Sequence, residues 1–250
     1  MITRFSGMFI LLAMILPALS ACNSNGASAV SAVQAEQAHK AAILQRSFEE
    51  SKKVRAATVN GEVITLFALL REMNAIAPRY SATDRKADKT KQDMIRTDAL
   101  NILVFQTLAS QEARKRGLSV RPDVIDAEMK RIQAELGTDD AFRAYLAKNG
   151  LSEAELRASI EGDALFEMIA TREVDMRISV TDGTLRGFYT KHRSEFVAGP
   201  DRRQMSFEEA HPALERRLRT EAEEKRMKEW QNELRKNARI EVVKETRKAG

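Results

Sequence analysis

The histidines and the single cysteine are the residues of this sequence whose side chains could most readily do chemistry. Its three histidines are His39, His192 and His211, and none belongs to an HExxH motif. Cys22 has no histidine beside it, so the ligands of a zinc cluster are missing. His192 falls near phenylalanines on a predicted helix face, which favours a packing role because a general base needs a positioned partner. These residues predict neither a catalytic site nor a metal site.

The motifs that bind phosphate or activate a serine are also missing from the sequence. It has no GxSxG, no GxxxxGK and no GxGxxG. Asp139-Asp140 is accounted for as negative charge in the first turn of a predicted helix. Glu208-Glu209 and Glu223-Glu224 are interpreted as helix surface. We therefore predict a protein that is not an enzyme and that uses no cofactor and no metal.

The balance of charge argues against a nucleic-acid partner. The chain has 41 Lys and Arg against 36 Asp and Glu, a formal charge of +5 and a pI near 9.3. Basic and acidic residues are interleaved along it. A nucleic-acid interface instead concentrates Lys and Arg on one face, together with stacking aromatics or a known motif. The sequence has neither feature, so we predict no nucleic-acid partner.

What remains for function is apolar surface. The chain has 10 methionines, and methionine is flexible and polarizable, so it is over-used on surfaces that bind many sequences. For any single methionine the alternative, filling the core, is the commoner use. Amphipathic helices joined by short loops could leave an apolar groove uncovered. The candidates to line such a groove are Met73, Met129, Phe142, Tyr145, Phe166, Met168, Phe188 and Tyr189.

The N-terminus carries a targeting pattern. Arg4 precedes the apolar run Met8–Leu16, which is shorter than the roughly 20 residues that a mature transmembrane helix needs. This pattern predicts a secretory signal peptide over residues 1–21. Its end, Leu-Ser-Ala followed by Cys22, resembles the bacterial lipoprotein box, in which the cysteine is lipidated. The alternative is that Cys22 is a small buried hydrophobe. Asn23 follows the cysteine, as in enteric lipoproteins that are not kept at the inner membrane.

The stretch from Val59 to Glu62 predicts a tight β-hairpin around which the rest of the chain is organised. Asn60 and Gly61 both tolerate the positive φ that a two-residue turn of the primed type requires. The β-branched flanks favour strands, but a hairpin of two strands is not stable alone. The next strand-like run along the chain is residues 239–244. We therefore predict that the two ends of the chain meet in one small sheet.

Helical spacing of apolar residues dominates between these strands. The predicted fold class is therefore mainly α, a multi-helix domain with a small β-sheet formed by the N-terminal hairpin and the C-terminal strand. Thr65 is a predicted N-cap, and Ser152 and Ser206 are predicted to open helices with capping boxes. Gly117 and Gly150 follow the predicted C-termini of helices.

The sequence predicts three consecutive segments along the chain. Residues 1–21 are the signal peptide. Residues 22–53, rich in Ala, Ser, Gln and Glu, are interpreted as the lipidated cysteine and a tether that is helical around residues 33–50. Residues 54–245 form the folded domain, which residues 206–245 close by returning to the hairpin.

The order of several segments resembles that of a known family. The segments are VNGEVIT, EARKRGLSV, DAEMKRIQAELG, AFRAYLAKNGLSEAELR, ISVTDGTLRGFYTKHRSEF and SFEEAHPALERRLRTEAEEKRMKEWQNELRKNARIEVV. In this order they resemble the SurA/PpiD/PrsA group of bacterial envelope foldases, in particular the SurA N-terminal chaperone module, over roughly residues 54–245. The resemblance implies a helical chaperone domain that holds unfolded secreted or outer-membrane proteins without ATP. It also implies a location in the cell envelope, facing the periplasm.

The chain departs from those relatives at one point. Between the segments similar to HRSEF and SFEEAHPALE they usually carry a parvulin prolyl isomerase domain. Here only the nine residues Val197–Met205 lie between them, too few to fold as a domain. The resemblance therefore offers no positions for the catalytic residues of an isomerase. Two alternatives stay open: an isomerase, as the family name suggests, and a dedicated assembly partner in an envelope or polysaccharide-export machine.

Overall fold

The computed structural model of the protein describes residues 26–80 and 89–243. The predicted signal peptide and Cys22 lie outside the described residues. The helices are α1 (Gly26–Lys53), α2 (Leu66–Ile76), α3 (Lys89–Lys115), α4 (Pro122–Leu136), α5 (Asp139–Lys148), α6 (Glu153–Glu173), α7 (Asp182–Lys191) and α8 (Phe207–Lys236). The strands are β1 (Arg55–Val59), β2 (Glu62–Thr65), β3 (Val197–Ala198), β4 (Arg203–Gln204) and β5 (Ile240–Val242). The prediction of a mainly α fold with a small sheet is confirmed.

Three strands form the predicted sheet, in the order β2-β1-β5 with antiparallel pairing throughout. Asn60 and Gly61 turn the hairpin with φ angles of 53° and 88°. Ala57 of the central strand lies opposite Ile64 on one side and Val242 on the other. The prediction that both ends of the chain meet in one sheet is confirmed.

The hairpin turn also holds the C-terminal strand directly. The backbone N–H of Asn60 donates to the carbonyl of Arg239 at 2.8 Å, and the N–H of Arg239 donates to the side-chain oxygen of Asn60 at 2.8 Å. Asn60 therefore both adopts the left-handed conformation of the turn and accepts a hydrogen bond from Arg239, 179 residues further along the chain.

Asn60→Ala should destabilise the protein by about 2 kcal/mol, because alanine adopts positive φ unfavourably and leaves the N–H of Arg239 without this acceptor. Asn60→Gly is the matched control. Glycine keeps the left-handed turn and removes only the hydrogen bond, so its cost should be about half as large. Urea unfolding of the three proteins checks this order. Equal stability of the alanine variant and the wild type would show that the turn does not hold β5.

The chain divides into two compact units, which helices α3 and α6 both enter. The sheet unit comprises the described residues up to 107 together with 120–163 and 238–243. Its first apolar cluster joins α2, α4, α5 and α6 through Phe67, Met129, Ile132, Phe142, Leu151, Leu156 and Ile160. Its second cluster joins β1, α2 and α3 through Ala56, Leu69, Ile76, Ile95 and Ala99. Burial of each large side chain in these clusters contributes about 1.5–3 kcal/mol.

The helical unit comprises residues 108–119 and 164–237. Its apolar cluster contains Leu185, Phe196, Ala210 and Leu214. Between Phe196 and Ser206 lies a two-stranded hairpin in which Val197 pairs with Gln204 and Ala198 with Arg203. Gly199 and Arg202 allow this tight turn through φ angles of 74° and 52°.

The predicted helix caps are present. Thr65 accepts a hydrogen bond from the N–H of Ala68 at 3.1 Å. At Ser152 the hydroxyl accepts from the N–H of Glu155 at 3.2 Å, while the Glu155 carboxylate accepts from the N–H of Ser152 at 2.7 Å. Ser206 forms the same capping box. A cap of this kind contributes about 1 kcal/mol.

Helix α1 differs from the predicted tether. It begins at Gly26, seven residues before the predicted helical stretch, and continues to Lys53. Residues 35–47 are exposed, but Phe48 is half-buried against the first apolar cluster and Ser51 is only 8% exposed. The last turns of α1 are therefore part of the folded sheet unit, because Phe48 finds a partner there that is remote in sequence.

Candidate functional site

An open cleft of about 510 Å³ lies between α1 and α5 in the sheet unit. Its lining residues are Ala41, Ala42 and Gln45 of α1, Arg143, Leu146 and Ala147 of α5, and Leu151. Alanines on both helices leave the space that larger side chains would fill. Ile43 and Leu44 of α1, which do not line the cleft, are 57% and 47% exposed.

The position of α1 depends on a close contact between Phe48 and Gly150. Gly150 follows α5 in a left-handed conformation, with φ of 63°. A Cβ atom at this position would lie 2.4 Å from Cδ2 of Phe48, so only glycine allows the ring to approach the backbone this closely. The same ring makes an edge-to-face contact with Phe67, with 5.7 Å between centroids. These contacts place the cleft-lining face of α1 beside α5.

A charged contact holds the end of α1 to the start of α6. Nζ of Lys52 lies 2.8 Å from a carboxylate oxygen of Glu155 and 5.1 Å from the centroid of the Phe67 ring. Burial would raise the pKa of Glu155, but hydrogen bonds from Lys52 and Ser152 outweigh burial and hold that pKa below its usual value. Burial would lower the pKa of Lys52, but its bonds to Glu155 and Glu49 raise it. Both Lys52 and Glu155 are therefore ionised at neutral pH.

The lining of the cleft suits apolar contact rather than bond chemistry. Five of its seven residues are alanine or leucine. The polar ones are Gln45 and Arg143, and the guanidinium of Arg143 donates to the carboxylate of Asp140 on its own helix. An open apolar concavity with a polar edge can cover apolar groups of another chain.

A carboxyl with a raised pKa lies elsewhere. Surrounding protein atoms desolvate the Asp163 carboxyl and raise its pKa to about 6, against an opposing attraction from Arg71, although the residue as a whole is exposed. Asp163 belongs to α6 and does not line the cleft. Within residues 26–80 and 89–243, no three His, Cys, Asp or Glu side chains are close enough together to bind a metal ion. No helix in this part of the chain is long and apolar enough to cross a membrane.

The structure does not bring the sequence-predicted groove residues of the sheet unit to the cleft. Met129 and Phe142 are only 3% and 6% exposed and belong to the first apolar cluster, so they are core residues. Tyr145 is half-buried against the same cluster. Met73 is half-buried against the second cluster instead. These four residues therefore divide between two cores.

The remaining predicted residues belong to the helical unit. Phe188 and Tyr189 are half-buried against its apolar cluster, and the hydroxyl of Tyr189 donates to the carbonyl of Met205 at 2.5 Å. The ring of Phe166 lies 6.3 Å from that of Trp230. Met168 is half-buried. Phe188 and Tyr189 thus pack against the core of the helical unit, and the Phe166 ring lies beside Trp230 of the same unit.

The sequence interpretation missed the α1 side of the cleft because residues 22–53 were assigned to a tether. A signal was available. Ala41, Leu44 and Phe48 are spaced three and four residues apart, which is the spacing of one helix face. Nothing local indicated that Phe48 would meet Gly150, 102 residues further along the chain.

Sequence comparison relates this chain to one family of known proteins. A family model described as a SurA-like N-terminal domain matches residues 10–170. Proteins named Chaperone SurA are similar to this chain: that of Thiobacillus denitrificans is 28% identical over 133 residues, which are 53% of this chain and 30% of the relative. That of Burkholderia orbicola is 27% identical over 138 residues, 55% of this chain and 30% of the relative. The matched region thus spans less than a third of these curated relatives.

A solved structure offers a more distant likeness. It comes from the Campylobacter jejuni proteins PEB4 and Cj1289, described as two structurally related SurA-like chaperones. The similarity has a TM-score of 0.49 at 13% identity and covers 77% of this chain and 100% of that one. The family assignment rests on the sequence match, which includes the hairpin, the cleft and both apolar clusters of the sheet unit up to α6. Because that match extends over well over half of the 250 residues, the chain belongs to the family with a SurA-like N-terminal domain.

Proposed function

We propose that this protein is an ATP-independent chaperone of the bacterial envelope that holds unfolded secreted or outer-membrane proteins. The observation that carries the proposal is the open cleft between α1 and α5, most of whose lining residues are alanine or leucine. Ile43 and Leu44 elsewhere on α1 add exposed apolar surface. Family membership supports it, since the similar full-length relatives are named chaperones.

The mechanism is holding by mass action. Apolar segments of an unfolded client cover the cleft and the exposed side chains of α1, and each buried apolar Å² contributes about 25 cal/mol. Binding lowers the concentration of free unfolded chain and therefore its aggregation, which depends on encounters between such chains. No bond is made or broken, so neither a cofactor nor nucleotide hydrolysis is required.

An aggregation assay tests the proposed function. The mature chain with Cys22→Ala, which removes the predicted lipid, is added to a denatured outer-membrane protein on dilution from urea. Light scattering should fall as the chaperone is added in several-fold excess. Unchanged scattering at that excess would contradict the proposal.

Ala147→Glu should weaken client holding about tenfold, because a charged side chain would occupy the apolar cleft and lose hydration when a client binds. Ala147 is exposed on α5, so its replacement should change the free energy of unfolding by less than about 0.5 kcal/mol. The matched control is Ala144→Glu, which adds the same charge at an exposed position outside the cleft lining. Equal suppression of scattering by both variants would place the client elsewhere.

Anchoring through a lipid on Cys22 is the second part of the proposal. It is supported by the signal-peptide pattern and by the lipoprotein box that ends at this cysteine. With Asn23 after the cysteine, the outer membrane is the proposed destination. The full-length protein should sediment with outer-membrane vesicles, and Cys22→Ala should release it into the periplasmic fraction. If the alanine variant also sediments with the outer-membrane vesicles, the proposed lipid anchor is wrong.

Two simple assays separate the alternatives. A prolyl isomerase would accelerate proline-limited refolding, and we expect no acceleration, because the segment Val197–Met205 is occupied by the β3–β4 hairpin. A dedicated assembly partner would be recovered with one protein in fixed stoichiometry, whereas a holding chaperone would be recovered with many different clients.

A further inference from the structure

The outer edge of β5 carries backbone groups that point away from the sheet. Strand β5 pairs only with β1 among the described strands, and it stands at the end of the order β2-β1-β5. The N–H of Val243 donates to the carbonyl of Ala56 at 2.9 Å, and the carbonyl of Arg239 accepts from Asn60. Since neighbouring residues of a strand direct their backbone groups to opposite edges, residues 239, 241 and 243 face β1. Ile240 and Val242 therefore direct their N–H and C=O groups outward.

Within the described part of the chain no further strand pairs with this edge, and most residues of β5 are exposed, with Ile240 half-buried. Val242 and Val243 are 48% and 40% exposed, and Glu241 between Ile240 and Val242 is also exposed. An uncovered strand edge is a template for another strand, and proteins usually blunt such edges with charge, proline or a covering element. Strand β5 has no proline, and its charged residue, Glu241, is held in an ion pair with Arg239 at 2.6 Å.

We propose that the outer edge of β5 is a docking site for an extended segment of an unfolded polypeptide, which adds a fourth strand to the sheet. The inference rests on the proposed function and specifies how the client backbone is held. Two N–H and two C=O groups, spaced two residues apart, match the repeat of an extended chain. Backbone pairing reads no side chain, so it suits a protein that must hold many sequences.

The size of the edge favours a client over a second copy of this chain. Strand β5 has three residues, and pairing two such strands would bury far less than the roughly 1,000 Å² that a stable protein interface needs. A client avoids this limit because its other segments can cover the cleft between α1 and α5 in the same complex. The edge then contributes one of several weak contacts.

The first experiment observes the edge amides in the mature protein with strand β5 unaltered. Amide hydrogen exchange is followed by NMR with the Cys22→Ala chain, alone and with a capped ten-residue peptide of alternating valine and threonine that ends in glutamates. The amides of Ile240 and Val242 should exchange fast in the free protein and at least tenfold more slowly with the peptide. Those of Glu241 and Val243 should be slow in both states. Peptide binding without protection at Ile240 and Val242 would overturn the inference.

The second experiment blocks the edge. Val242→Pro removes an outward N–H while leaving the N–H groups of Glu241 and Val243 that face β1, and proline is tolerated where the N–H of an edge strand faces solvent. It should weaken peptide binding about tenfold. Val242→Ala is the matched control, since it shortens the side chain but keeps the N–H and should bind within about twofold. Equal binding by the proline and alanine variants would also overturn the inference.

These outcomes distinguish a failure of the edge inference from a failure of the proposed function on which it rests. If the unaltered domain fails to suppress aggregation, the proposed function fails. If it suppresses aggregation and Val242→Pro does so equally well, only the edge inference fails. A wild-type dimer that Val242→Pro converts to a monomer would assign the edge to a second copy and contradict the client.

Discussion

Gly150→Ala should lower the free energy of unfolding by about 2–5 kcal/mol. The left-handed φ of 63° costs an alanine about 1–2 kcal/mol. The added methyl group would also lie 2.4–2.9 Å from three carbon atoms of Phe48, and overpacking of this kind costs about 1–3 kcal/mol. Phe48 joins α1 to the first apolar cluster. The methyl group should therefore displace the end of α1 and widen the cleft between α1 and α5.

Gly117→Ala is the matched control for this substitution. Gly117 also follows a helix, with φ of 72°, and a Cβ atom there would have no other atom within 4 Å. The residues after the two glycines make the same closing bond, from Leu118 to Ala113 at 3.0 Å and from Leu151 to Leu146 at 2.9 Å. The control should therefore cost only the conformational part, about 1–2 kcal/mol.

Urea unfolding followed by circular dichroism measures both variants, and a double-mutant cycle isolates the contact. In a Phe48→Ala background the ring is absent, so Gly150→Ala should cost no more than Gly117→Ala does. If Gly150→Ala costs the same with and without the Phe48 ring, the ring does not approach the glycine and α1 is not held in this way.

Glu173→Gln should destabilise the helical unit by about 3 kcal/mol. The Glu173 side chain is 2% exposed and is surrounded by three arginines. Arg116 donates to one carboxylate oxygen, and Arg226 donates to the other at 3.1 Å and to the Glu173 carbonyl at 3.0 Å. Arg177 lies 3.3 Å away. Removing the charge leaves the largely buried Arg226 with a neutral acceptor. The loss is at the low end for such changes because Arg116 and Arg177 keep contact with water.

The destabilisation caused by Glu173→Gln should decrease as the pH falls. Burial by itself would raise the pKa of Glu173, but hydrogen bonds from Arg116 and Arg226 hold it below its usual value. A carboxyl whose pKa is lower in the folded state stabilises that state above the unfolded pKa of about 4.3. That contribution is lost as the pH falls through the folded pKa. The difference between the wild type and Glu173→Gln should therefore be full at pH 7 and shrink below about pH 4.

An exposed carboxylate provides the control for Glu173. Glu195 of the helical unit lies 2.7 Å from Arg217 and is 47% exposed, so water replaces its ion pair and Glu195→Gln should leave the urea midpoint unchanged. Fluorescence of Trp230, which is 1% exposed in the same unit, reports the transition for each variant. A difference between the wild type and Glu173→Gln that stays constant from pH 7 to pH 3 would contradict the ionic account.

The elements of this protein could be predicted where their causes are local. The turn at Asn60-Gly61 follows from two residues that tolerate positive φ, and the caps at Thr65 and Ser152 follow from side chains that bond to the next turn. The pairing of β5 with β1 could be inferred because a two-strand hairpin needs a third strand and few candidates exist along the chain. The sequence similarity to a known family rests on the same ordered pattern.

The site was decided by contacts between remote residues. Helical spacing indicates that Met129 and Phe142 lie on apolar faces, but only the neighbouring helices determine that those faces are covered. Likewise, nothing near Phe48 in sequence shows that its ring will lie against Gly150. Because of this contact, α1, predicted as a tether, lines one side of the cleft. The sequence by itself therefore determined helices α2 to α8, the three-stranded sheet and the family, since these depend on local conformational preference and on the order of segments. The tertiary structure alone decided which apolar surface stays open, because exposure is a property of what packs against a residue.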